Sequence, residues 1–120
     1  MKYLMSQEEF EQLIGRAPVP EGTVIPNFTV IYFTATWCGA CRRLDMDLLQ
    51  EELPEVNWLK CDIDQNSYTP GFCGIKSIPT FAVIIDKKFT DMLTSSDTRN
   101  VYTWVTRHLD GAAAPKSSKA

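Results

Sequence analysis

The chain has 120 residues, 44% hydrophobic and 22% charged, with a net charge of −3, which suits one domain around one core in a soluble globular protein. The negative balance gives no electrostatic ground for nucleic-acid binding, and no apolar run approaches the roughly 20 residues that a membrane helix needs, so neither nucleic acid nor membrane is an expected partner. The opening Met1-Lys2-Tyr3-Leu4-Met5-Ser6-Gln7-Glu8-Glu9 turns acidic too early for a secretory signal, and a cytoplasmic location is expected. Lys2 to Met5 reads as a short first strand. Ser6 and Glu9 form a capping box, Phe10, Leu13 and Ile14 follow at helical spacing, and Gly15 is a C-terminal stop. Arg16 to Pro26, with three prolines and Gly22, is loop.

Phe28 to Thr34 is continuously apolar or β-branched, as a strand covered on both faces should be. A helical pattern runs from Arg42 to roughly Leu53, with Leu44, Leu48 and Leu49 facing inward and Pro54 ending it. Val56 to Ile63 is a strand, and Asp64 to Cys73 is turn-rich with room for one helical turn. Thr80 to Ile85 and Phe89 to Leu93 make a hairpin through Asp86-Lys87-Lys88. Ser96 or Asp97 caps a last helix whose apolar stripe is Val101, Trp104, Val105 and Leu109. Gly111 to Ala120 has no apolar period and reads as a flexible tail after a domain of residues 1–110. The order predicts an α/β fold, a mixed central sheet with helices on both faces.

Trp37-Cys38-Gly39-Ala40-Cys41 sits where the central strand gives way to helix. Two cysteines separated by two residues at such a turn form a reversible dithiol/disulfide pair, and orphan N–H groups at a helix N-terminus favour the thiolate of the first. The chemistry this names is thiol–disulfide exchange. Cys38, Cys41, Cys61 and Cys73 also have to be weighed as four zinc ligands. The second pair is not a tight knuckle, so no metal is expected. Cys61, on a predicted buried strand, reads as a small hydrophobe. Cys73 precedes the Gly74–Pro79 stretch and is a candidate regulatory thiol near the active surface. His108, near the end of the last helix, favours the helix dipole and has no assigned catalysis.

Three segments together resemble the thioredoxin family: Trp37-Cys38-Gly39-Ala40-Cys41, Asp62-Ile63-Asp64-Gln65-Asn66, and Gly74-Ile75-Lys76-Ser77-Ile78-Pro79-Thr80-Phe81. The resemblance implies a thioredoxin fold and a protein disulfide oxidoreductase that reduces protein disulfides. It implies Cys38 as nucleophile and Cys41 as resolving thiol, and a substrate surface of Trp37, Gly39, Ala40, Ile78 and Pro79, with Pro79 in the cis form. Lys60 falls where the family keeps a buried lysine near the dithiol, and Asp64 matches an acidic residue that helps to fix the tryptophan. Expected partners are disulfide-containing proteins and a thioredoxin reductase or other dithiol electron donor. The expected state is a monomer, with no metal or organic cofactor.

Several positions depart from the family pattern. Ala40 replaces the proline between the cysteines, which predicts a looser turn and a more oxidising pair. Tyr32 stands where a buried aspartate is usual, and a phenol, titrating near 10 in general, does not take up the resolving thiol's proton at pH 7. Met46 replaces a helix-kinking proline, which predicts a straighter helix; Thr34 replaces a second tryptophan and Thr94 a glycine beside the docking surface. Two alternatives stay open: a disulfide oxidase or isomerase, and a non-enzymatic docking module that uses the Trp37/Pro79 surface without turnover.

Overall fold

Strand β2 (Phe28–Thr34) is buried along its whole length, and the rest of the fold is built on it. The computed structural model describes residues 1–113. In chain order the elements are β1 (Lys2–Tyr3), α1 (Gln7–Leu13), β2, a 3₁₀ turn (Ala40–Arg43), α2 (Met46–Glu52), β3 (Asn57–Asp62), α3 (Tyr68–Cys73), β4 (Thr80–Ile85), β5 (Lys88–Thr94) and α4 (Thr98–Ala113). One five-stranded sheet has the order β1-β3-β2-β4-β5. β1 and β2 pair parallel to β3, while β4 runs antiparallel to both β2 and β5. This is the thioredoxin fold, a mixed sheet with helices on both faces.

Period-2 alternation divides the core between the two faces. On one face Phe28, Val30 and Tyr32 of β2 pack with Trp58, Phe81, Leu49, Val101 and Val105, beneath α2 and α4. On the other, Ile31 and Phe33 pack with Phe10, Leu13, Leu59, Ala82 and Ile84, beneath α1 and α3. Cys38 and Cys41 belong to the first layer, Cys61 and Cys73 to the second.

The local signals hold where they are self-contained. Ser6 Oγ accepts the Glu9 N–H at 3.2 Å and Glu9 Oε1 accepts the Ser6 N–H at 3.1 Å, so the capping box is complete. Gly15 leaves α1 at φ +75°. Asp97 rather than Ser96 caps α4, its Oδ1 accepting the Arg99 N–H at 2.9 Å. That helix runs to Ala113, so Gly111–Ala113 of the segment read as tail are helical, and the remaining residues of that segment, 114–120, lie outside the described residues.

Three expectations are corrected. The helix read from Arg42 to Leu53 is two pieces, because Leu44 is extended at ψ 138° between the 3₁₀ turn and α2. Met46 therefore does not give a straighter helix; the break falls two residues before it. Leu48 does not face inward and is 44% exposed, while Leu44 and Leu49, 9% and 1% exposed, are buried as expected. The helical turn expected within residues 64–73 is present as α3, with Pro70 in its first turn, where its missing N–H costs nothing.

Candidate active site

The dithiol turn begins where β2 leaves the sheet. The Cys38 N–H donates to the Ala35 carbonyl at 3.1 Å, Arg42 N–H to Gly39 at 3.1 Å, and Leu44 N–H to Cys41 at 3.2 Å. Cys38 and Cys41 are joined in a disulfide with Cα atoms 5.3 Å apart, inside the 4.4–6.8 Å range such a bond accepts. The Cys41 N–H points at Cys38 Sγ, 3.1 Å away. The turn is only four residues of 3₁₀ helix. Support for a Cys38 thiolate is therefore this one local N–H rather than the dipole of a long helix.

Trp37, next to Cys38 in the chain, is 63% exposed. Its Nε1–H donates to Asp64 Oδ2 at 2.8 Å, and the Asp64 N–H donates to Asp62 Oδ1 at 2.9 Å. Asn66 anchors the same segment from below: its buried amide donates to the Leu4 carbonyl and Thr69 hydroxyl and accepts the Thr69 N–H. An indole on an open surface is thus held by a carboxylate that two further side chains position. Beside it lies an open groove of about 320 Å³ lined by Trp37, Ile63, Pro70, Ile75, Lys76, Ser77 and Ile78.

Gly39 is exposed and Ala40 half-buried at the tip of the turn; Ile78 is half-buried, and Pro79, after a cis peptide bond, is buried. Behind the proline, Thr80 Oγ1 donates to the Ser77 carbonyl and shares a 2.7 Å hydrogen bond with Thr94 Oγ1. Thr94 thus braces the proline loop from β5. Thr34, the other departure on the strand, is buried at the end of β2.

Tyr32 lies beneath the turn, buried and stacked on Phe81 with ring centroids 5.1 Å apart. Its hydroxyl is 3.5 Å from the Cys41 carbonyl oxygen, a long hydrogen bond to backbone. It fills the aspartate's place with ring packing. Lys60 shares the dithiol face of the sheet but is half-buried, with its ammonium over the Tyr3 ring at 5.3 Å. The expected buried lysine is therefore turned towards the β1 edge, where an aromatic face receives its charge.

The remaining cysteines lie across the sheet from the disulfide. Burial, and then the Asp62 carboxylate, push the Cys61 thiol up to about 12. Burial, and then Cys61, push Cys73 up to about 12. Cys73 is 9% exposed, so the expectation of an accessory thiol at the active surface is corrected: α3 turns its last residue into the second core. The same separation overturns the zinc reading, because the sheet stands between the two cysteine pairs.

Two tertiary contacts had no signal in the sequence. Thr98 Oγ1, at the start of α4, accepts the Asp45 N–H at 3.0 Å. Asp91 Oδ2 accepts the Trp104 Nε1–H at 2.9 Å and lies 2.9 Å from His108 Nε2, which fastens α4 to β5. The His108 ring is thus occupied by a side chain, beyond the helix-end role expected of it.

The thioredoxin family model matches residues 4–107. A thioredoxin of Listeria monocytogenes is 37% identical over 76 residues, 61% of this chain and 69% of that protein. A TPR repeat-containing thioredoxin of Arabidopsis thaliana is 35% identical over 81 residues, which cover 66% of this chain but only 21% of that longer protein. The structure of Fasciola hepatica thioredoxin superposes with a TM-score of 0.75 at 31% identity, covering 90% of this chain and 99% of that one. A disulfide-bonded Cys38-Gly39-Ala40-Cys41 turn at the end of a buried strand, on a sheet of this order and within a match that spans most of the chain, makes this protein a member of the thioredoxin family and a thiol–disulfide oxidoreductase.

Proposed function

We propose that the protein reduces disulfides in other proteins, with Cys38 as attacking thiolate and Cys41 as resolving thiol. The observation that carries the assignment is the Cys41 N–H aimed at Cys38 Sγ, which stabilises negative charge on that sulfur. The Cys38 thiolate attacks one sulfur of a substrate disulfide; that bond breaks and the other substrate sulfur leaves, taking a proton from water. Cys41 gives up its proton to water and attacks Cys38 Sγ, and the second substrate sulfur leaves, likewise taking a proton from water. The substrate has gained two electrons and two protons, and the protein holds the Cys38–Cys41 disulfide. The turn keeps Cys41 within reach, so the second step is effectively unimolecular. No carboxylate stands at position 32 to take the Cys41 proton, so water accepts it.

Trp37, Gly39, Ala40, Ile78 and Pro79 form the contact surface for an extended substrate segment, and the groove beside Trp37 supports that reading. Lys60 tunes this site only weakly, since its ammonium is engaged by Tyr3. A thioredoxin reductase or another dithiol donor returns the electrons, and the exchange itself uses sulfur alone. A monomer in a reducing compartment such as the cytoplasm fits a protein that keeps Cys61 and Cys73 as free thiols.

The test is the redox potential of the Cys38–Cys41 couple in glutathione or dithiothreitol buffers. A reversible two-electron couple is expected, somewhat less negative than about −270 mV because Ala40 leaves the turn without a stiffening proline. A value near about −180 mV moves the reading to oxidation or isomerisation, and the absence of a couple moves it to a docking module. Cys41→Ser should trap a mixed disulfide on Cys38; a trap formed only by Cys38→Ser would reverse the two roles.

A further inference from the structure

In an α-helix continuing from the dithiol, the Asp45 N–H would bond the Cys41 carbonyl four residues back. It bonds Thr98 Oγ1 instead, at 3.0 Å and from 53 residues further along the chain. The Cys41 carbonyl is left with the Leu44 N–H at 3.2 Å and the Tyr32 hydroxyl at 3.5 Å. Leu44 then turns extended, and the Asp45 carboxylate caps α2 by accepting the Leu48 N–H at 3.0 Å. The break that ends the dithiol turn therefore coincides with one backbone donor being held by a hydroxyl of α4.

We propose that Thr98 is a positioning residue for the exchange reaction: by holding the Asp45 N–H it ends the dithiol turn at Arg43 and keeps Cys41 at the separation from Cys38 that favours the disulfide. The inference rests on the reading of Cys38 and Cys41 as the exchanging pair. The other end of the turn is held by the Cys38 N–H on the Ala35 carbonyl. With both ends fixed, the two Cα atoms stay 5.3 Å apart, and closing the disulfide costs little chain freedom. Without the Thr98 oxygen the Asp45 N–H is free to recapture the Cys41 carbonyl. The turn lengthens towards regular helix, Cys41 shifts, and the closed form loses part of its advantage over the dithiol. No catalytic role is assigned to Thr98, which touches neither sulfur nor substrate.

The variants Thr98→Val, which keeps the β-branch and removes the acceptor, and Thr98→Ser, which keeps the oxygen, separate this role from general packing. Asp97 caps α4 and Val101 and Val105 dock it in all of them. In a glutathione titration, Thr98→Val is expected to shift the equilibrium about tenfold towards the dithiol, or about 30 mV less negative. The step in which Cys41 resolves a mixed disulfide should slow by a similar factor. Thr98→Ser should stay within about twofold of the parent chain on both measures, given a single retained hydrogen bond. If Thr98→Val fails to fold, Thr98→Ala should show the same shift. Parental potential and resolution rate in the variant lacking the oxygen overturn the proposal, as does a Thr98→Ser shift as large as that of Thr98→Val. A parent chain with no reversible couple overturns the reading of the site as well, so the two failures are told apart by the parent chain alone.

Discussion

Cys61 and Cys73 carry the same side chain as Cys38, yet the sheet gives them a different chemistry. A thiol reacts through its thiolate, and burial withholds that charge from water. Burial pushes both up to about 12, so each holds far less thiolate than an ordinary thiol at neutral pH. With Cys38–Cys41 oxidised, iodoacetamide at pH 7.5 should leave both unmodified while a guanidine-unfolded sample labels at two positions; rapid labelling of Cys73 in the native protein would reinstate it as an accessory thiol. The exchanging pair was legible because its identity and spacing are local. The side of the sheet that Cys73 faces was not, because it follows from where α3 lands. Trp37 and Asp64 lie between these cases. Both were named from the family motifs, while the 2.8 Å bond that joins them spans 27 residues and is made only by the fold.

Elements were legible in proportion to how much of their own stabilisation they contain. The capping box of α1, the apolar run of β2 and the stripe of α4 are each complete within a few turns or one strand, and each appears where the pattern puts it. The dithiol helix is not self-contained: its break depends on Thr98, and helical periodicity ran straight across it. The β4–β5 connection is a two-residue turn in which Asp86 and Lys87 have φ +50° and +68°. A lysine in the left-handed region costs about 1 kcal/mol, which glycine avoids. Lys87→Gly should therefore raise unfolding free energy by at most about 0.5 kcal/mol once the extra freedom of glycine in the unfolded chain is deducted. The Lys87 side chain, which lies beside Gly15 where a Cβ on that glycine would meet it, is lost in the exchange. Urea denaturation measures this, and a lower midpoint would show that the Gly15 contact outweighs the turn strain.

Across the molecule, pH should act from opposite ends through different faces. The Trp104 indole N–H, followed by His108, holds the Asp91 carboxyl below its usual 3.8. Its share of stability is complete above about 4 and is lost as pH falls through the lowered value. For Cys61 and Cys73, raised from 9.0 to about 12, the sign reverses: their share is complete below 9 and is lost as pH climbs towards 12. Urea midpoints against pH should show a plateau between these limits, with Asp91→Asn flattening the acid limb and Cys61→Ala the alkaline one. An alkaline limb unchanged in Cys61→Ala would place that loss elsewhere.

The sequence by itself determined the helices that close their own hydrogen bonds, the strands marked by apolar runs, the mixed sheet they imply, and the exchanging cysteines, because those signals are carried by neighbours within a few residues. The tertiary structure alone decided where the dithiol helix ends, which face each thiol joins, and what holds Trp37, Asp91 and Asp45. Each of those depends on a partner brought from a distant part of the chain, and such a partner leaves no periodicity, cap or spacing to read until the two layers have packed on the sheet.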